Sequence, residues 1–351
     1  MREVKIGLVG IGEIGEVHAR AYAGVPHARL CLAAGTRPEK AKELAAKLGG
    51  APVYESYEAL LADPGVEGVD ICVPNHLHRE FVVRALRAGK HVLCEKPIAL
   101  TCEDADAMLQ EAERAGRFLV VGHVLRFWPE CVKTREAIAA GAIGQPLLIS
   151  GRRLVALLEG TTGAEGWRHD PELSGGAVID LQIHDLDLYC WLFGTPTAVV
   201  ARGARSEDGA ISHVFTVMDH PGGVTGFVEA SFMMKGKMLD IGFRVLGTKG
   251  SIEYRFSPSA PMLHGLGTQA AAQAEPSLTL TETGGIPQAL YTPEEDSFPL
   301  AMQRQVAHFA ECVSAKRAPA TATGEESRRA LALCIAARRS CETGEVVRNP
   351  C

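Results

Sequence analysis

In the first third of the chain, short β-branched runs alternate with segments of helical periodicity. Val4–Val9, Arg29–Ala34, Val69–Val73, His91–Cys94 and Phe118–Val121 read as strands. Ile14–Ala23, Pro38–Leu48, Ser56–Ala62, Leu77–Ala88 and Cys102–Ala115 read as the helices between them. Pro38 suits a first helical turn, and Gly49, Gly89 and Gly116 fall where helices stop. Apolar strands alternating with helices require right-handed crossovers, which predicts an α/β, doubly wound parallel sheet.

Beyond residue 123 the pattern changes. Ser212–Met218, Gly223–Met233 and Leu239–Leu246 are extended runs with little helix between them, and Gly247-Thr248-Lys249-Gly250 reads as a hairpin turn. This predicts an α+β region with a mainly antiparallel open sheet. One helix, Gly176–Leu192, enters it, and two more return at Phe298–Ala315 and Gly324–Glu342. Residues 257–297, rich in Pro, Gly, Ala, Gln and Thr, read as a long surface excursion. The expected division is one domain over 1–123 and a second over 124–351.

Composition narrows the class. The chain has 351 residues, 46% hydrophobic and 22% charged, enough for two ordinary globular cores. No apolar run approaches the ~18 residues of a membrane span, and the N-terminus passes directly into Val4–Val9 without the pattern of a signal peptide. A formal net charge of −6 gives no general attraction for nucleic acid. The 10 cysteines are scattered, without a C-x-x-C pair, and read as reduced thiols of a cytoplasmic protein rather than a disulfide or zinc framework.

Gly10-Ile11-Gly12-Glu13-Ile14-Gly15 lies between the first strand and the first helix. A pyrophosphate approaching the backbone there excludes side chains, and the helix N-terminus offers N–H donors, so Gly10, Gly12, Glu13, Ile14 and Gly15 are expected to hold a dinucleotide on a Rossmann sheet. The ribose-selecting carboxylate expected about 20 residues on is absent; Ala34-Gly35-Thr36-Arg37 stands there instead. Thr36 and Arg37 are suited to a 2′-phosphate, which favours NADP, or dual use, over NAD alone.

Cys94-Glu95-Lys96-Pro97 follows a strand at the sheet edge where such folds bind ligands. Further on, Asp180, His184 and Asp187 are spaced four and three apart and share one face of the predicted helix. A histidine flanked by carboxylates can move a proton near neutral pH. The same three side chains are also legitimate divalent-metal ligands, a rival reading.

These motifs, in this order, resemble the glucose-fructose oxidoreductase / inositol dehydrogenase / rhizopine catabolism (Gfo/Idh/MocA) family over nearly the whole chain. The resemblance includes Pro74-Asn75-His76-Leu77-His78, Arg126-Phe127, Ile143-Gly144-Gln145-Pro146 and the Gly247–Gly250 turn. It implies Lys96 as substrate-oxygen ligand, His184 as acid/base, Asp180 orienting His184, and Asp187 on substrate hydroxyls. Pro74, Asn75 and His78 would wall the nicotinamide, with Glu95 and Lys96 near the cofactor. Arg126 and Trp167 would line the substrate side, and Trp128 stands where many relatives carry a small polar residue.

The implied enzyme is an NAD(P)-dependent dehydrogenase that oxidises a secondary alcohol or hemiacetal of a sugar, sugar acid or inositol. The resemblance implies no metal, and it implies a homodimer or homotetramer through the second domain, which would serve substrate binding and oligomerisation. Two rivals share the fold: an NAD-dependent glycoside hydrolase, and a catalytically silent dinucleotide-sensing regulator. The Lys96–Asp180–His184 set argues against the regulator, as does the absence of a basic stripe in the sequence.

Overall fold

A computed structural model describes residues 1–156, 166–207, 209–235, 239–256, 277–292 and 297–350. The chain divides into two compact units, Met1–Val124 with Pro299–Arg328, and Leu125–Phe298 with Arg329–Cys351.

The first unit carries β1 (Val4–Val9), α1 (Glu13–Tyr22), β2 (Ala28–Ala33), α2 (Pro38–Lys47), β3 (Val53–Tyr54), α3 (Tyr57–Ala62), β4 (Val66–Ile71), α4 (His78–Arg87), β5 (His91–Cys94), α5 (Cys102–Ala115) and β6 (Leu119–Val121). Its strands form one six-stranded sheet in the order β3-β2-β1-β4-β5-β6, and every pairing is parallel. This is the expected doubly wound sheet, with its topological switch between β1 and β4. Ile6, Leu8, Leu32, Val69, Ile71, Val92, Leu93 and Val120 are buried strand positions. At about 25 cal/mol per Å² of apolar surface, such strands carry much of the fold's stability. β4 begins at Val66, earlier than the apolar run suggested, because Val66 pairs with Lys5 before a register shift that sets Gly68 opposite Ile6.

Residues 299–328 return to this unit, although the sequence pattern had grouped them with the second region. Phe309 fills the space beside Gly68, where an added Cβ would meet its ring at 2.8 Å. Val121 N–H donates to Ala322, and His123 bonds the Ser327 hydroxyl at 2.8 Å.

The second unit is built on α6 (Pro129–Ala139), β7 (Pro146–Val155), α7 (Pro171–Ser174), α8 (Ile183–Phe193), β8 (Ala198–Arg205), β9 (Ile211–Asp219), β10 (Thr225–Ser231), β11 (Leu239–Gly247), β12 (Gly250–Phe256), β13 (Leu278–Glu282) and β14 (Gln288–Tyr291). After α9 (Ser297–Ala315) and α10 (Gly324–Thr343) comes β15 (Val347–Arg348). Among the described residues the sheet has nine strands, β14-β13-β12-β11-β7-β10-β9-β8-β15, with only β7 and β10 parallel.

Two features of this unit differ from the sequence pattern. Leu278–Glu282 and Gln288–Tyr291 extend the sheet where a surface excursion was expected, because Leu278 and Leu280 alternate with Thr279 and Thr281. The rest of that expected excursion, 257–276 and 293–296, lies outside the described residues. The helix expected over 176–192 begins instead as a π turn, Ala177–Leu181, before α8. Gly175 and Gly176 sit at φ 85° and 65°, which ends α7, and the Gln182 N–H reaches back five residues to Ala177.

The Gly247–Gly250 turn is the predicted hairpin. It is clasped by the segment before β7: Thr248 N–H donates to Gln145, Gln145 N–H to the Thr248 hydroxyl, and Lys249 N–H to Ile143.

Candidate active site

Most sequence-nominated residues of the first unit stand just beyond the carboxyl end of a parallel strand, while Glu13, Ile14 and Gly15 open α1 and His78 opens α4. Gly10 follows β1, Gly35 to Arg37 follow β2, Pro74 and Asn75 follow β4, and Glu95 and Lys96 follow β5. Ligands of open α/β sheets bind along this edge.

The three glycines of the turn have different reasons to be glycine. Gly10 has φ +88°, and a Cβ there would strike the backbone of Cys72. A Cβ on Gly15 would run into the Gly10 carbonyl. Gly12, the N-cap of α1, has no side-chain cap, and a Cβ built on it meets nothing within 4 Å. The space over Gly12 is therefore open to a group from outside the chain, as a pyrophosphate on the α1 N-terminus requires. Glu13 is exposed, and Ile14 is half-buried. Gly35 takes φ +55°, Thr36 is exposed, and Arg37 is the N-cap of α2. These residues fit a dinucleotide and offer no carboxylate beside its ribose.

Three buried groups sit beneath this edge. The His18 ring lies between two carboxylates, Nδ1 at 2.9 Å from Asp70 Oδ2 and Nε2 at 3.1 Å from Glu95 Oε1. Burial depresses the His18 pKa, but the Asp70 carboxylate outweighs it and holds the ring well above the ordinary histidine range. Burial raises the Glu95 carboxyl, and the hydrogen bond and charge of His18 bring it below its usual value.

Glu95 also accepts the Lys96 backbone N–H at 3.1 Å, and the Lys96–Pro97 peptide is cis. His78, expected at the nicotinamide wall, is fully buried. Its Nδ1 is 2.6 Å from the Pro97 carbonyl and its Nε2 3.0 Å from the Val73 carbonyl. Burial lowers its pKa, against the two carbonyl contacts, which raise it. Asn75 is buried in a short 3-10 turn, and Pro74 is half-buried at its start.

In the second unit the π turn and α8 carry the remaining candidates. Gln182 is fixed to the sheet, donating to the Val228 carbonyl at 3.4 Å and accepting the Thr216 hydroxyl at 2.9 Å. Asp185 accepts two bonds from Arg153, at 2.7 and 3.0 Å, and Asp187 two from Arg126, at 2.9 and 2.7 Å. Of Gln182, His184, Asp185 and Asp187, only His184 is partly exposed.

Asp180 is buried, with Arg168 Nε at 3.3 Å, and the Arg168 guanidinium lies 5.2 Å from the Trp167 ring centroid. Among the described residues Asp180, His184 and Asp187 are not a group whose ligand atoms converge, and both Asp187 oxygens accept from Arg126. Trp128 is a core residue, 5% exposed and packed against Phe256 and Phe298.

Sequence motifs located the strand ends and missed what lies beneath them. His18 falls three residues after Gly15, on the face of α1 turned to the sheet, and Asp70 lies within a buried strand. A charged pair at those two apolar-facing positions was the available signal.

Comparison with known proteins gives this geometry its family. Residues 4–123 match the "Oxidoreductase family, NAD-binding Rossmann fold", and residues 131–253 the "GFO/IDH/MocA C-terminal domain". The chain is 30% identical to levoglucosan dehydrogenase of Pseudarthrobacter phenanthrenivorans, over 73% of this chain and 74% of that one. It is 31% identical to D-xylose 1-dehydrogenase (NADP(+)) 2 of Haloferax volcanii, over 88% of each.

The crystal structure of aldose-aldose oxidoreductase from Caulobacter crescentus, complexed with glycerol, superposes with a TM-score of 0.81 at 26% identity, over 99% of this chain and 100% of that one. The open phosphate turn and the sheet order thus have their counterpart in the sequence relationships: the chain belongs to the Gfo/Idh/MocA family, NAD(P)-dependent oxidoreductases that act on CH–OH groups.

Proposed function

We propose that the protein is a dehydrogenase of a polyhydroxylated small molecule, oxidising a secondary alcohol or hemiacetal of a sugar, sugar acid or inositol. In this reading the Lys96 ammonium ligates the substrate oxygen and stabilises the developing alkoxide, while His184 takes the hydroxyl proton. Asp180 orients His184. The nicotinamide, when bound, supplies the acceptor for the hydride leaving the carbon.

The observation that carries this reading is the state of α8: three of its polar anchors are buried and paired, and His184 is left partly exposed on a helix that cannot easily shift. A general base requires such a ring, fixed by its scaffold and open to a substrate. The pairing of Arg126 with Asp187 supports a scaffolding role for both. Arg37, with no carboxylate at the end of β2, supports NADP or dual use.

We also infer a homodimer or homotetramer through the nine-stranded sheet. Phe215 stacks on Phe227 there, yet remains 40% exposed.

The test is reduced-nicotinamide absorbance across NAD and NADP against sugars, sugar acids and inositols, with His184→Ala and Lys96→Ala alongside. A signal in one substrate class is expected, with turnover lowered about a hundredfold or more in each variant and dinucleotide binding retained in His184→Ala. Cofactor binding without any signal, or full activity in His184→Ala, refutes the reading.

A further inference from the structure

His18 is buried, titratable and unused by the proposed chemistry, yet it is bonded to the residue that precedes Lys96. Both of its ring nitrogens face carboxylate oxygens, Asp70 on one side and Glu95 on the other. A ring that donates from both nitrogens carries both protons, so this geometry is that of an imidazolium between two carboxylates.

The second oxygen of Glu95 accepts the Lys96 backbone N–H. Space for that carboxylate is kept by Gly122, where an added Cβ would overlap Glu95 Oε1. On the far side of Lys96, His78 grips the Pro97 carbonyl at 2.6 Å. Lys96 is thereby bracketed by two residues, each anchored to a buried histidine.

We infer that His18, Asp70 and Glu95 form a buried positioning device for Lys96, in which the His18 ring holds the Glu95 carboxylate against the Lys96 backbone N–H. Asp70 fixes the ring from β4, with Cys72 Sγ 3.5 Å from its other oxygen and Tyr22 the further titratable group beside it. None of the three acts on substrate. They set where the Lys96 backbone lies, and through it the reach of the ammonium. The kinetic consequence rests on the proposed role of Lys96; the positioning itself does not.

Amide hydrogen exchange, followed by mass spectrometry on overlapping peptides around Lys96, tests the device without any turnover. His18→Ala and Glu95→Ala are expected to speed exchange at Lys96 by about tenfold or more, with the rest of the first unit unchanged. Glu95→Gln keeps an oxygen for the Lys96 N–H and an amide for a neutral His18, and should retain slow exchange. In parallel, His18→Ala should lower kcat about tenfold while dinucleotide Kd stays within about threefold.

Unchanged exchange at Lys96, acceleration spread evenly over the whole unit, or Glu95→Gln as fast as Glu95→Ala would each overturn the inference. Should His18→Ala fail to fold, the Glu95 pair decides. Should the native enzyme oxidise no polyol, the functional reading fails while the exchange data still decide this one.

Discussion

Arg126 holds Asp187 by two parallel hydrogen bonds, Nε to Oδ2 at 2.9 Å and a terminal nitrogen to Oδ1 at 2.7 Å, with side chains only 2% and 1% exposed. A buried bidentate pair is costly to assemble but far costlier to break on one side, since the survivor is left charged and dry. Asp187→Ala should therefore destabilise the protein by about 3–5 kcal/mol, and joint replacement of Arg126 and Asp187 by Met and Leu should recover most of that loss. Urea-unfolding midpoints of the two variants decide it. A double variant no better than the single one would mean that the pair does more than neutralise itself.

The glycines of the phosphate turn separate fold from binding. Gly12→Ala adds a methyl group into open space and should unfold at the native midpoint, yet bind dinucleotide about tenfold or more weakly. Gly15→Ala forces a methyl group into the Gly10 carbonyl and should lose stability by roughly 2 kcal/mol or more, whether or not cofactor is present. Thermal melts with and without NAD(P) distinguish the two effects. Equal destabilisation by both substitutions would remove the argument that Gly12 is kept for a ligand.

Local patterns were legible where one residue's environment depends on its near neighbours. β1, β5 and the Gly247–Gly250 hairpin follow directly from apolar runs and turn residues. β7 does not, because Arg152 and Arg153 interrupt its apolar run. Arg153 is nevertheless buried, through a partner 32 residues away on α8. The helix expected to run unbroken from 176 begins as a π turn because two consecutive glycines take positive φ, which no periodicity records.

At the candidate site the motifs marked strand ends and one helix face, so Gly12, Lys96 and His184 were nominated as single positions. The layer under them was not: His18 meets Asp70 and Glu95 across 52 and 77 residues of sequence. A charged residue at an apolar-facing position is a local signal of a buried partner, but which partner it meets is visible only once the chain has folded.

Cofactor choice should turn on Arg37. It caps α2 just past β2, with Gly35 at φ +55° and no carboxylate between them. A guanidinium there favours a 2′-phosphate by a charge-assisted hydrogen bond worth roughly 1.5–3 kcal/mol. Arg37→Ala should raise the Kd for NADP by about tenfold or more and change that for NAD by less than about threefold. Titration of each nucleotide by fluorescence quenching measures both, and a parallel loss for the two would assign Arg37 to something other than the phosphate.

Acid stability should depend on His91. Its ring stacks on Phe118 at 3.9 Å, and its Nδ1 accepts the Phe118 backbone N–H at 3.3 Å, so the folded ring must be unprotonated at that nitrogen. Burial, helped by the Arg117 charge, lowers its pKa to about 4. The unfolded chain takes up this proton near pH 6.5 while the folded chain refuses it until about 4. Stability contributed by the neutral ring is thus complete above pH 6.5 and is lost as pH falls through that window, by roughly 2 kcal/mol once its partial exposure is discounted.

His91→Asn keeps an acceptor for the Phe118 N–H and does not titrate. At pH 7 the variant should be less stable by about 1 kcal/mol for the lost stacking. Between pH 6.5 and 4.5 the native protein should lose the difference, so that the two curves meet or cross. Urea unfolding at pH 7, 5.5 and 4.5 follows this directly, and a gap that stays constant across the series would show that His91 is not the group that titrates.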